Sequence, residues 1–336
     1  MKITVICPVY MEEKYIGGCI ESLMNQDFSW DGSEIILVDG LSTDKTRKII
    51  NEYVEKYPFI RLLDNPQKIT PVSLNIAIRA AKNDIIFRID AHTTYPPNYF
   101  TVLSKYLIEL KADNVGGVCR TLPGGEGIIA QCIAKVMSSI FGMGNSYFRI
   151  GAKKIMQVDT VPFGCFRREV FDRIGLFDEE LIRNQDDEFN GRIIKNGGKI
   201  FLIPEVIIDY FARDKVSNLS KMFYQYGLFK PLVNRKLGTT VTVRQFFPLI
   251  FVILLLVAIF FTVFQLVEFE LMLAMVGIYI IFAFSFAIKE GENIRQVLIL
   301  PYLYFVLHIS YGWGYLRGII RFLILKKSGT NVEPNR

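Results

Sequence analysis

Residues 34–46 read EIILVDGLSTDKT: an apolar, mostly β-branched run ends at Asp39-Gly40 and is followed by Ser42, Thr43 and Asp44. This predicts a strand, a tight turn and a helix capped by Ser42 or Thr43, with Asp39 delivered to the strand's carboxyl end. The same alternation extends in both directions. Strands are expected at Ile3 to Val9, Glu34 to Val38, Ile60 to Leu63, Asp84 to Ile89 and Val115 to Arg120, separated by helical patterns at Lys14 to Asn25, Thr43 to Lys56 and Pro71 to Lys82. Thr70 with Pro71 suits the first turn of the third helix. Residues 1 to about 212 therefore read as an α/β domain with a mainly parallel sheet, in which ligands bind beyond the carboxyl ends of the strands.

The chain has 336 residues, of which 51% are hydrophobic and 21% charged, with a mean hydropathy of +0.29. That is too long and too apolar for a disordered tail or a small module. Thirty-nine Lys and Arg against 33 Asp and Glu give a net +6, too mild to argue for a nucleic-acid partner. Cys7, Cys19, Cys119, Cys132 and Cys165 form no CxxC pair and read as reduced, buried thiols rather than a disulfide or zinc framework. The opening MKITVICPVY lacks the long apolar region of a signal peptide, so the first domain is expected to stay cytoplasmic.

From Phe246 the composition changes. FFPLIFVILLLVAIFFTVFQLV runs 22 residues without a charge, long enough to cross a membrane as a helix. A second span, about 271–288, follows after Glu268, Phe269 and Glu270, giving a hairpin with an acidic tip. A third, about 297–316, contains Pro301, His308, Gly312 and Gly314 and precedes Arg317, Arg321, Lys326 and Lys327. The positive-inside rule would keep those charges in the cytoplasm, whereas three full spans would carry them out, so its course stays open between spanning and re-entrant or interfacial. Residues 213–245 hold seven basic residues against Asp214, interleaved with Met222, Phe223, Tyr224, Tyr226, Leu228 and Phe229. That composition suits a helix lying on an anionic membrane surface, or an ordinary solvated linker helix. The expected organisation is a domain at 1–212, a basic interface segment at 213–245, a membrane region at 246–323 and a tail at 324–336.

Four segments carry chemistry. The first strand ends in Cys7-Pro8-Val9-Tyr10-Met11-Glu12, and Asp39 ends the second. The fourth delivers Arg88-Ile89-Asp90-Ala91-His92 to the same sheet edge. Side chains two apart point the same way, so Asp90 and His92 are placed as two ligands of one divalent ion, Mn²⁺ or Mg²⁺; a surface histidine in a loop explains the spacing equally well. Asp186, Asp187 and Glu188 precede an apolar helix, either stabilising its positive end or projecting a carboxylate into a cleft to take a proton. Neither GxGxxG nor GxxxxGK[ST] occurs, so no dinucleotide fold or P-loop is indicated.

Together, and in this order, these segments resemble the family-2 inverting glycosyltransferases of the GT-A fold, within them the membrane-anchored subgroup of succinoglycan-biosynthesis glucosyltransferases. The resemblance covers about residues 3–235. It implies a mixed α/β sheet and a nucleoside pocket of Pro8, Tyr10, Glu12 and Asp39. Asp90-Ala91-His92 stands at the family's metal-binding Asp-x-Asp, and Asp186 is the catalytic base of a motif that Glu188 and Arg192 complete, both expected to bind substrate. Met11 replaces the Asn common after Pro-x-Tyr, and Gln185 replaces the usual Glu before the base. No Gln-x-x-Arg-Trp follows, which argues against a processive polymerase.

The implied activity is transfer from a UDP-sugar, UDP-glucose being the first candidate, to a polyprenyl-diphosphate-linked saccharide in cell-surface polysaccharide assembly. The expected location is the inner membrane, multi-pass, in contact with membrane lipids, with the catalytic domain cytoplasmic. The rival readings are a polyprenyl-phosphate sugar synthase, a small transporter subunit with a nucleotide-sensing domain, and a catalytically silent sugar-nucleotide-binding scaffold. Against the transporter, the spans hold few ionisable groups apart from His308.

Overall fold

The computed structural model describes residues 1–240, 242–264 and 269–331. It divides into two compact units. The first comprises Met1–Arg120 and Gly151–Tyr210, and the second Thr121–Ile150 with Phe211–Asn331. Residues 121–150, counted by sequence with the catalytic domain, thus group with the carboxyl-terminal helices.

The sheet contains β1 (Ile3–Val9), β2 (Glu34–Asp39), β3 (Ile60–Asp64), β4 (Ile85–Arg88), β5 (Thr93–Thr94), β6 (Asn114–Leu122), β7 (Met156–Gln157), β8 (Cys165–Arg167) and β9 (Ile200–Phe211). Their order is β3-β2-β1-β4-β8-β6-β9-β5, with β7 beside β9. The first four strands are parallel, and β8 enters antiparallel between β4 and β6. The sheet is therefore mixed, because β8 runs antiparallel to both β4 and β6. β1 is central and buried at all seven residues, as a strand covered on both faces must be, and this explains its unbroken apolar run.

The first unit adds helices α1 (Ile16–Met24), α2 (Thr46–Lys56), α3 (Thr70–Ala80), α4 (Tyr99–Glu109), α8 (Arg168–Ile174) and α9 (Gln185–Lys195). α3 has Pro71 in its first turn as expected. α2, however, starts at Thr46 with no side-chain cap from Ser42 or Thr43. Asp44 Oδ1 instead accepts the Thr46 N–H at 3.0 Å, and the Ser42 hydroxyl is spent on Asp39. All five cysteines are free and buried.

The second unit holds α5 (Ile128–Val136), α6 (Ile140–Met143), α7 (Tyr147–Ile150), α10 (Val216–Leu237), α11 (Phe246–Val263), α12 (Phe269–Glu290) and α13 (Ile294–Gly318), the last continued by a π-helical turn at Ile319–Ile324. Phe246–Val263, Met272–Glu290 and Ile294–Ile324 are each long and apolar enough to cross a membrane. The third is one continuous helix through Pro301, without the break that a re-entrant segment needs. Glu268 of the expected acidic tip lies outside the described residues.

Within 213–245, α10 buries Met222, Phe223, Leu228 and Phe229 against protein. The helix packs against α13, where backbone meets backbone. A Cβ at Gly227 would strike the Tyr311 carbonyl, one at Gly314 the Tyr224 carbonyl, and one at Gly318 the Leu228 carbonyl. Asn234 Nδ2 donates to the Tyr315 hydroxyl at 2.9 Å and Ser220 pairs with Ser310 at 2.8 Å, adding polar links to the seam. The exposed basic residues of this segment include Lys215, Lys221 and Arg235.

Candidate active site

The carboxyl ends of the parallel strands and the start of α9 converge in the first unit. β1 runs out at Val9, and the loop after it is stitched to the loop after β2: Met11 N–H donates to Ser42 Oγ at 2.8 Å, Glu12 N–H to Thr46 Oγ1 at 2.8 Å, and Lys45 N–H to Glu13 Oε2 at 3.1 Å. Pro8 is buried at the strand end. Tyr10 packs its ring over Gly40, where an added Cβ would lie 2.9 Å from Tyr10 Cδ2. Close approach therefore explains the glycine after Asp39.

Asp39 stands at the end of β2, but its carboxylate is fully buried. It accepts from Ser42 Oγ at 2.6 Å, Ser42 N–H at 2.9 Å and Arg47 Nη1 at 2.8 Å. Arg47 also reaches Asp64 at 2.7 Å, and these two carboxylates hold its guanidinium above its ordinary range. The solvent-reaching groups of this corner are accordingly Tyr10, Arg47 and Asp64. Arg47 and Asp64 escaped the sequence reading because their link to Asp39 is made across strands.

Met11, Leu41, Lys68, Phe163 and Asn184 all have positive φ, between 49° and 62°. Left-handed backbone at residues other than Gly, Asn and Asp stores strain, and it gathers here at the loops that bound the strand ends. Met11 has φ 57°, which supplies a reason for Asn at this position in the family pattern. Met11→Asn is expected to stabilise the fold by up to about 1 kcal/mol, seen as a higher thermal midpoint; a lower one would show that its thioether contacts to Thr43 at 3.4 and 3.6 Å outweigh the backbone cost.

At the end of β4, Asp90 is clamped through its backbone. Its N–H donates to the Tyr95 hydroxyl at 2.8 Å, and its carbonyl accepts from Thr93 Oγ1 at 2.5 Å. Its side-chain Oδ1 accepts the Ala91 N–H at 2.9 Å and lies 3.2 Å from His92 Nδ1. The same Nδ1 is 3.4 Å from Glu12 Oε1, and the His92 ring meets Tyr210 edge-on at 5.4 Å. Asp90 and His92 therefore do face one another, with Glu12 beside them, and remain 22% and 18% exposed.

Two ligands at right angles around an ion with bonds of about 2.1 Å sit roughly 3 Å apart. The Asp90–His92 separation fits that spacing, and a carboxylate plus an imidazole suits Mn²⁺ or Mg²⁺. Among the described residues no group of three His, Cys, Asp or Glu side chains forms a metal cluster. The pair resembles an open site that takes its remaining oxygens from substrate phosphates and water.

Asp186 is the second residue of α9, whose first turn holds Asp186, Asp187 and Glu188. Its Oδ2 lies 3.3 Å from Arg88 Nη2, and Arg88 Nη1 is 3.8 Å from Asp90 Oδ2. Desolvation raises the Asp186 carboxyl above the ordinary aspartate range, with Arg88 opposing the shift and Asp187 and Asp90 assisting it. Since 32% of the side chain is open to solvent, water screens part of this effect and only its direction bears on the chemistry.

Glu188 and Arg192, expected to bind substrate, are turned elsewhere. Glu188 is 3% exposed and grips Arg192 through both oxygens at 2.6 and 2.9 Å. Arg192 spends its other donors on the Ile174 and Leu176 carbonyls at 2.5 and 2.7 Å. The pair braces the loop after α8 against α9, fixing where Asp186 starts. Helical spacing of four residues could have suggested this bridge.

A mixed sheet with this strand order, carrying an acidic cluster at the carboxyl ends of its parallel strands, defines a nucleotide-sugar transferase fold. The Glycosyl transferase family 2 model matches residues 4–175, and the chain belongs to that family. It is 31% identical over 330 residues, 95% of this chain and 97% of the relative, to a dolichyl N-acetyl-alpha-D-glucosaminyl phosphate 3-beta-D-2,3-diacetamido-2,3-dideoxy-beta-D-glucuronosyltransferase of Methanococcus voltae. It is 29% identical over 247 residues, 73% of this chain and 74% of the relative, to succinoglycan biosynthesis protein ExoA of Rhizobium meliloti (strain 1021). Among solved structures, the mannosyltransferase PcManGT from Pyrobaculum calidifontis in complex with GDP-Man and Mn²⁺ aligns with a TM-score of 0.54 at 16% identity, covering 96% of this chain and 74% of that one. That last likeness concerns the fold.

Proposed function

We propose that the protein transfers a sugar, with inversion, from a UDP-sugar to a lipid-linked saccharide in cell-surface polysaccharide assembly. The observation that carries this reading is the arrival of Asp90, His92 and Asp186 at one sheet edge from β4, the residues after it and α9. The nucleoside lies in the corner of Pro8, Tyr10, Glu12 and Asp39. Asp90 and His92 would hold a divalent cation, Mn²⁺ or Mg²⁺, which when bound offsets negative charge on the departing diphosphate. Asp186 accepts the proton of the acceptor hydroxyl as that oxygen attacks the anomeric carbon from the face opposite the leaving group. Its raised pKa suits a base, since a stronger conjugate base takes the proton more readily.

The acceptor class is supported by the Methanococcus voltae relative, whose name describes transfer to a dolichyl phosphate-linked sugar and which matches nearly end to end. The three apolar helices would anchor the protein as a multi-pass inner-membrane protein with its catalytic unit in the cytoplasm, where nucleotide sugars are found, and bring it to membrane lipids. Membranes containing the protein should move label from one of a panel of UDP- and GDP-sugars into organic-extractable lipid-linked saccharide. EDTA should remove that transfer and Mn²⁺ restore it. Label entering the lipid phosphate directly would favour a polyprenyl-phosphate sugar synthase, and nucleotide binding without transfer to any lipid would favour a silent scaffold.

A further inference from the structure

Arg88 ends β4, the strand that leads to Asp90, and its side chain is 4% exposed. Its Nε and Nη1 are buried and have no hydrogen-bond partner. The ring of Phe163 covers the guanidinium at 5.0 Å. The two carboxylates it faces are Asp186 at 3.3 Å and Asp90 at 3.8 Å, the second beyond hydrogen-bond range. Arginines with a bracing role in this protein look different. Arg192 engages Nε, Nη1 and Nη2, and Arg168 donates through Nε and Nη2 to the Asn83 and Ala81 carbonyls. Enclosing a cation with idle donors is costly, and bracing alone gives no reason for it.

We infer that Arg88 is a positioning residue that couples the cation site to the base, dividing its charge between Asp90 and Asp186 and passing to Asp186 when a cation occupies Asp90. The inference rests on the roles proposed for those two carboxylates. A divalent ion at Asp90 repels the guanidinium and neutralises one of its two attractors. The long contact to Asp90 then weakens and the 3.3 Å contact to Asp186 can close to a charge-assisted hydrogen bond. The base is thereby oriented when the ion is in place. The coupling is reciprocal: Arg88 makes cation binding weaker than the Asp90–His92 pair alone would give.

The test compares full-length wild type, Arg88→Met and Arg88→Lys. Mn²⁺ alone is titrated by electron paramagnetic resonance, UDP binding and thermal unfolding are measured in detergent, and kcat and KM are determined with the donor found active. Arg88→Met is expected to bind Mn²⁺ about tenfold more tightly and to lose about 100-fold in kcat. Its donor KM, UDP binding and thermal midpoint should stay near wild type. Arg88→Lys, which keeps the charge, should restore weak Mn²⁺ binding and part of kcat. Unchanged Mn²⁺ affinity, unchanged kcat, or a kcat loss that tracks lost UDP binding and a lower midpoint would each overturn the inference. Should wild type transfer from no nucleotide sugar, the functional reading fails, and the Mn²⁺ titration still decides whether Arg88 opposes cation binding.

Discussion

Asp186→Asn is expected to lower kcat by about 10²–10⁴-fold while leaving UDP binding and the thermal midpoint nearly unchanged. The amide keeps the shape and position at the start of α9 but cannot accept a proton as a base. The wild-type pH profile provides an independent check. A general base must be ionised, so transfer should fall as pH drops through the Asp186 pKa. Desolvation raises that pKa in the cation-free protein, whereas a cation at Asp90 and a closer Arg88 lower it, so the acidic limb should move to lower pH as Mn²⁺ saturates. A variant that retains most of its kcat would remove Asp186 from the role of base.

The second large effect is structural. Gly314→Val should destabilise the second unit by about 3 kcal/mol or more, because the branched side chain has to occupy the space of the Tyr224 carbonyl and α10 cannot move away without unpacking its buried face. Small residues allow such backbone approach between helices, and Gly314 and Gly318 are spaced four apart on α13. Fluorescence-detected size exclusion after heating would report the loss, with Gly277→Val as the control, since Gly277 has nothing within 4 Å of an added Cβ. Equal melting of the two variants would show that the α10–α13 seam does not hold the unit together.

Much of the first unit was legible in local sequence. β1 occupies the expected residues, and β2, β3 and β4 fall within one or two residues of expectation. The runs of β1 and β2 are long, fully buried and punctuated by turn residues, so local preference and tertiary environment agree. β8 escaped because three residues carry no readable period. β9 escaped because Ile200–Phe211 contains Pro204 and Glu205, and pairing decides its course. In the candidate site, alternation along one segment put Asp90 beside His92, and the family resemblance, not the spacing, singled out Asp186 among three consecutive acids. Arg88 and Arg47 were not legible, since each acts through partners supplied by other elements.

The reading of α10 shows the same divide. Basic and apolar residues mixed at helical period describe an amphipathic helix whether lipid or protein covers its apolar face. The glycines of α13 determine that protein covers it, and their partners are distant in sequence. By itself, then, the sequence determined the α/β character of residues 1–212, the three apolar helices and the strand ends on which the acidic residues stand, because periodicity and burial are written locally, while the order of its motifs carried the resemblance to the family. Only the tertiary structure decided that Glu188 and Arg192 pair with one another and brace the loop after α8, that Asp39 is already held by Ser42 and Arg47, and that one buried arginine lies between Asp90 and Asp186. These depend on distances between side chains far apart along the chain, which local preference does not encode.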